Sequence, residues 1–91
     1  MSFENRVLIS KKALKELQGI PQHEKELIKD RISKLSFFPL AHLDVQKLKG
    51  YENVYRLRVG QYRVIFEYLK EDRVVKILKV GKRENVYGDN L

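Results

Sequence analysis

Hydrophobic positions change their period twice along this 91-residue chain. From Phe3 to Ile9 they alternate, with Phe3, Val7 and Ile9 on one side and Leu8 on the other, the period of a short strand. Ser10 is a good N-cap for a helix. Between Lys11 and Gln18, Ala13, Leu14 and Leu17 recur at helical spacing. Gly19-Ile20-Pro21 then ends one helix and opens another, with Gly as stop and Pro as first-turn residue. The second helix is predicted to run to about Ser36, with Leu27, Ile28, Ile32 and Leu35 as its apolar stripe. Lys25, Lys29 and Lys34 are among its solvent-facing positions. Phe37-Phe38-Pro39 closes it, because the residue before proline avoids the α region. A loop with Pro39, His42 and Asp44 comes next, then a brief extended stretch over Val45 to Lys49. Strand periodicity returns over about Val54–Val59, Tyr62–Leu69 and Arg73–Val80, with Glu71-Asp72 marking the last turn.

The order is β-α-α-β-β-β, an α+β domain spanning residues 1–91 in which a helical hairpin packs on a mainly antiparallel sheet. Gly60-Gln61 serves as a two-residue hairpin turn, with Gly where positive φ is needed. That turn pairs Val59 with Tyr62, Arg58 with Arg63, and Leu57 with Val64. Tyr55, Leu57, Val59, Val64 and Phe66 are expected to face the helices. Arg56, Arg58, Arg63 and Ile65 are expected on the other face, which should be open, concave and strongly cationic. Arg56 and Arg58 stand roughly 6.5–7 Å apart on one side of their strand. Like charges directly across a strand pair destabilise it, so Arg58 opposite Arg63 points to an anion held between them.

Composition sharpens this picture. Hydrophobic residues make up 43% of the chain, enough for one modest core, and there is no cysteine for a disulfide or thiolate site. The polar start Met-Ser-Phe-Glu-Asn-Arg is not a signal peptide, and no apolar run approaches the ~20 residues of a membrane span. A soluble, cytoplasmic protein without membrane contact is the expectation. The net charge is +7, and residues 46–87 carry eleven Lys and Arg against five Asp and Glu. The second half is therefore the candidate surface for a polyanion.

The arginine cluster has a structural reading, in which Arg56, Arg58 and Arg63 pair with Glu52, Glu67 or Glu71. Its functional reading is phosphate contact, since planar guanidinium groups fork onto phosphate oxygens. Gly81-Lys82-Arg83 follows the last strand, so Arg83 could reach the same face. Tyr87 lies four residues further on. Cations nearby favour its phenolate, so it could move a proton, or it could stack on a base. Tyr62 and Tyr68 read as core or strand-pairing residues. His23 and His42 lie in different regions and read as surface histidines. Asp44, Glu52, Glu67, Glu71 and Asp72 show no metal-ligand spacing, and no phosphate loop or nucleophile elbow occurs.

Four segments taken together resemble the RelE/ParE toxin superfamily, and its RelE branch in particular. They are Gln46-Lys47-Leu48-Lys49-Gly50, Tyr55-Arg56-Leu57-Arg58-Val59, Tyr62-Arg63-Val64-Ile65-Phe66 and Val80-Gly81-Lys82-Arg83-Glu84. The resemblance implies a RelE-like fold and a type II toxin that cleaves mRNA in the ribosomal A site. The implied reaction is attack of the ribose 2′-OH on the adjacent phosphate, without cofactor or metal. It implies catalytic positions at Arg56, Arg58, Arg63, Arg83 and Tyr87, and RNA or ribosome contacts at Lys47, Lys49 and Lys82. It also implies a RelB-like antitoxin, in a heterodimer or heterotetramer. The alternatives are a ParE-like inhibitor of gyrase and a non-catalytic RNA- or DNA-binding module of the same fold. Arginines at 56 and 58 stay protonated, so they can clamp charge but cannot be the general base.

Overall fold

The computed structural model describes residues 4–83. Strand β1 (Arg6–Ile9) leads into helices α1 (Lys11–Gln18) and α2 (Gln22–Ser33), which give way to a 3₁₀ turn (Lys34–Phe37). Strands β2 (Val45–Lys47), β3 (Val54–Val59), β4 (Tyr62–Leu69) and β5 (Val74–Lys82) come next, with a 3₁₀ turn (Lys70–Asp72) before β5. The five strands form one sheet in the order β1-β5-β4-β3-β2, parallel between β1 and β5 and antiparallel elsewhere. The brief extended stretch after the loop is thus a true strand, which pairs with β3. Among the described residues no helix is long and apolar enough to cross a membrane.

Local chemistry explains the boundaries. Ser10 caps α1, its hydroxyl oxygen accepting from the Ala13 amide at 3.0 Å. Gly19 ends that helix, and Pro21, at φ −52 and ψ 144, sits at the N-cap of α2 rather than in its first turn. Phe38 leaves the 3₁₀ turn in an extended conformation, as a residue before proline should. Gly60 takes φ +59 in the β3–β4 turn, a value that favours glycine.

The helices cover one face of the sheet. Ala13, Leu17, Ile28, Ile32 and Leu35 meet Leu57, Val59, Val64, Phe66, Val75 and Ile77 in one core. Phe38 is its aromatic plug, with its ring edge-on to Tyr55, Phe66 and Tyr68 at centroid distances of 5.1, 5.2 and 4.9 Å. Asn5 is buried and donates from Nδ2 to the carbonyls of Leu35 and Phe38, which ties the start of β1 to the end of the helical layer.

Three apolar expectations fail at the periphery. Ile9, Leu14 and Leu27 are all 41–45% exposed. Ile9 ends an edge strand. Leu14 and Leu27 stand at the margin of short helices, where two or three apolar residues already fill the contact with the sheet.

Candidate nucleic-acid interface

The hairpin register agrees with the sequence expectation: Val59 pairs with Tyr62, Arg58 with Arg63, Leu57 with Val64 and Arg56 with Ile65. Arg56, Arg58 and Arg63 therefore share the face away from the helices. Row by row, Gln46 pairs with Arg56, Arg56 with Ile65, and Ile65 with Lys79. In the next row Arg58 pairs with Arg63, and Arg63 with Gly81. The Arg83 amide donates to the Gln61 carbonyl at 3.1 Å, which sets that residue beside the hairpin turn.

This face is not the open surface expected. Arg63, Ile65 and Lys79 are only 6%, 1% and 3% exposed. Ile65 packs with Val54 and Leu48 as a second, small apolar cluster. Arg63 turns back on its own hairpin: Nη1 donates to the carbonyls of Gly60 and Tyr62 at 2.8 and 2.9 Å. Its Nε is buried and meets no acceptor among the described residues.

The other two arginines contact side chains of β2 and the loop before it. Arg56 donates to Oε1 of Gln46 at 2.6 Å. Arg58 stands 3.9 Å from Asp44 in an exposed ion pair, a geometry worth little in water. Neither contact is to Glu52, Glu67 or Glu71. Gln46 and Asp44 were absent from the candidate residues, because only the β2–β3 pairing brings them alongside. Lys79 was missed for a different reason, an irregularity in β5.

The remaining described candidates fall away from this face. Lys47 pairs with Tyr55 and so projects to the helix side, and Lys49 is in the β2–β3 turn. Lys82 pairs with Tyr62 and lines a groove of about 510 Å³ with Lys15, Glu16 and Glu24. Tyr62 is a core residue, as expected, and Tyr68 packs half-buried against the core. A hydrogen bond to Glu24, then burial, then the Glu24 charge raise the Tyr62 pKa above its ordinary value. His23 and His42 are exposed, one in the first turn of α2 and one in the loop before β2. Among the described residues no three His, Asp or Glu side chains gather as metal ligands. Tyr87 lies outside the described residues.

Comparison with known proteins places this geometry. Residues 7–87 match the family of the ParE toxin of type II toxin–antitoxin systems, parDE. A Methanocaldococcus jannaschii protein named RelE1 is 36% identical over 83 residues, covering 89% of this chain and 92% of that one. The mRNA interferase toxin RelE of Escherichia coli is 31% identical over 75 residues, covering 80% and 77%. The archaeal RelE–RelB complex from Pyrococcus horikoshii contains a chain that superposes with a TM-score of 0.76 at 35% identity, covering 89% of this chain and 97% of that one. The chain belongs to the RelE/ParE superfamily of toxins of type II toxin–antitoxin systems.

Proposed function

We propose that this toxin is a ribosome-dependent endoribonuclease that cleaves mRNA in the A site and so stops translation. The observation that carries the proposal is Arg58 directly opposite Arg63, with Arg56 two residues away on the same face. A fold under no demand for an anion gains nothing from that pairing. The E. coli relative bears the name mRNA interferase.

The chemistry follows from the side chains. As the ribose 2′-oxygen bonds to phosphorus, the phosphoryl oxygens gain negative charge. Guanidinium donors already in place hold that charge without reorganising, and one such donor contributes a rate factor of about 10²–10³. Arg63 is the best anchored, since two turn carbonyls fix its Nη1. The bond from phosphorus to the 5′-oxygen then breaks, leaving a 2′,3′-cyclic phosphate and a free 5′-hydroxyl. The proton lost by the 2′-OH and the proton gained by the 5′-oxygen do not pass through arginine, which stays charged. Tyr87 is proposed for that transfer, with the ribosome as the other source. Arg83 is the fourth clamp residue. Lys47 and Lys82 project to the helix side and Lys49 lies in a turn, so these lysines add only long-range attraction for the polyanion.

The partner proposed is a RelB-like antitoxin, because the Pyrococcus horikoshii and Methanococcus jannaschii relatives were solved as complexes with RelB. The test is a defined mRNA on programmed ribosomes with 5′ ends mapped. Wild-type protein should cut within the A-site codon, and Arg83→Ala should not. Intact mRNA with the wild type would sink the ribonuclease reading. The ParE description of the matching family favours one second reading, inhibition of gyrase. Loss of supercoiling with intact mRNA would select it.

A further inference from the structure

Strand β5 contains one residue too many. Phe66 pairs with Ile77 and Ile65 with Lys79, so Leu78 has no partner on β4. This is a β-bulge, and an inserted residue sends every later side chain to the opposite face. Ile77 lies in the core against the helices. In a regular strand Lys79 would follow it there, and Val80 would face the arginines. With the bulge, Val80 joins the core and Lys79 and Gly81 stand beside Ile65 and Arg63. Arg83 follows β5 directly, with its amide held on the Gln61 carbonyl beside the hairpin turn.

The bulge falls where β5 loses a neighbour. Pairing with β1 stops at Ile9 opposite Ile77. Beyond that point α1 takes over the strand edge. The Ser10 amide donates to the Ile77 carbonyl at 2.9 Å, and the Ser10 hydroxyl donates to the Leu78 carbonyl at 3.3 Å. The Val80 amide donates to Oε1 of Glu16 at 3.0 Å. A side-chain carboxylate thus stands where the carbonyl of a continuing β1 would be. Ser10 and Glu16 flank more than a turn of one helix, so the spacing between their two contacts on β5 is fixed.

We propose that Glu16 is a positioning residue for the arginine face. Through the Val80 amide it locks the bulge, and with it the phase and path of the segment from Leu78 to Arg83. Glu16 lines the groove on the helix side and acts on RNA only through this strand. The activity arm of the proposal rests on the ribonuclease reading above; the structural arm does not.

The experiment compares the full chain with Glu16→Gln and Glu16→Ala. Amide hydrogen exchange is read by NMR, and single-turnover mRNA cleavage is read at saturating toxin. Gln keeps an oxygen acceptor, so it should preserve Val80 protection and the wild-type rate. Ala should speed exchange at Val80 and Arg83 while Val64 and Phe66 stay protected. Its cleavage rate should fall about tenfold or more, the scale of a small misplacement of a reacting group, with ribosome affinity unchanged. Ala is the best helix former, so α1 should persist; Glu16→Leu, which keeps the stem without the oxygen, repeats the test. Unchanged Val80 exchange in Ala and Leu overturns the proposal, as does wild-type cleavage by both. Gln as inactive as Ala overturns it too, since the charge and not the acceptor would then matter. If the wild type itself cuts nothing, the ribonuclease reading falls, and the exchange pattern alone decides the role of Glu16.

Discussion

Replacing Arg63 with Met should separate the needs of the fold from those of the site. Arg63 is 6% exposed, and its Nη1 makes two hydrogen bonds to carbonyls. Hydrogen bonds from a charged donor are worth about 1.5–3 kcal/mol each. The Gly60 share of that is recovered in the variant, because Gly60 is exposed and water can reach its carbonyl, while the Tyr62 carbonyl stays buried. Against the loss stand three gains. The desolvation of a buried charge, several kcal/mol in scale, disappears. The buried Nε without an acceptor, a cost of about 1–3 kcal/mol, goes with it. The repulsion from Arg58 across the strands, about 0.2–1 kcal/mol, is relieved. Met fills a similar volume with an unbranched stem. The terms cancel to within about 2 kcal/mol, so Arg63→Met should be near neutral or stabilising. For a domain of this size 1 kcal/mol moves Tm by about 4–8 °C. Cleavage on ribosomes should nevertheless fall by about 10²–10³, the loss of one preorganised clamp donor. Thermal and urea melts alongside the cleavage assay give both readings. A stability loss above about 3 kcal/mol would refute the reasoning, because it would make the guanidinium a structural tie. Undiminished cleavage would refute it from the other side.

Further outcomes are expected elsewhere. Arg58→Ala should weaken binding of a single-stranded RNA and lower its salt slope by about 0.7, measured by titration at several salt concentrations, because one phosphate contact is lost. Tyr62 has its pKa raised in the folded state, so its contribution is complete below the unfolded value of about 10 and is lost as pH rises through the folded value. Urea melts should therefore show wild type losing stability above pH 10 faster than Tyr62→Phe. Phe66→Ala removes the ring that meets Phe38 and Tyr55 and should cost about 3–5 kcal/mol by the same melts.

The sequence disclosed some of this more readily than the rest, for local reasons. The β3–β4 hairpin was legible because Gly60 supplies positive φ and the flanking residues alternate cleanly, and both strands run over the residues expected. Ser10 was legible as a cap for the same kind of reason. The bulge at Leu78 was not, since Ile77-Leu78-Lys79-Val80 reads as ordinary strand and only the pairing with β4 reveals the skipped residue. The burial of Lys79 and Arg63 followed from that pairing and from the small Val54–Ile65–Leu48 cluster, neither of which has a local signature. Asp44 and Gln46 reach the arginines only across β2 and β3.

The parallel pairing of β1 with β5 also dictates an order of assembly. The hairpin of β3 and β4 closes over two residues and can form within microseconds. The contact between Ser10 and Leu78 spans 68 positions and must wait for a large loop to close. Until then the outer edge of β5, already paired with β4 through the short turn from Leu69 to Val74, lacks its β1 neighbour and invites aggregation or proteolysis. The cations from Lys79 to Arg83 ride on or directly follow the strand whose outer edge is covered last. A chain interrupted before β5 is therefore a substrate for quality control rather than a weak toxin.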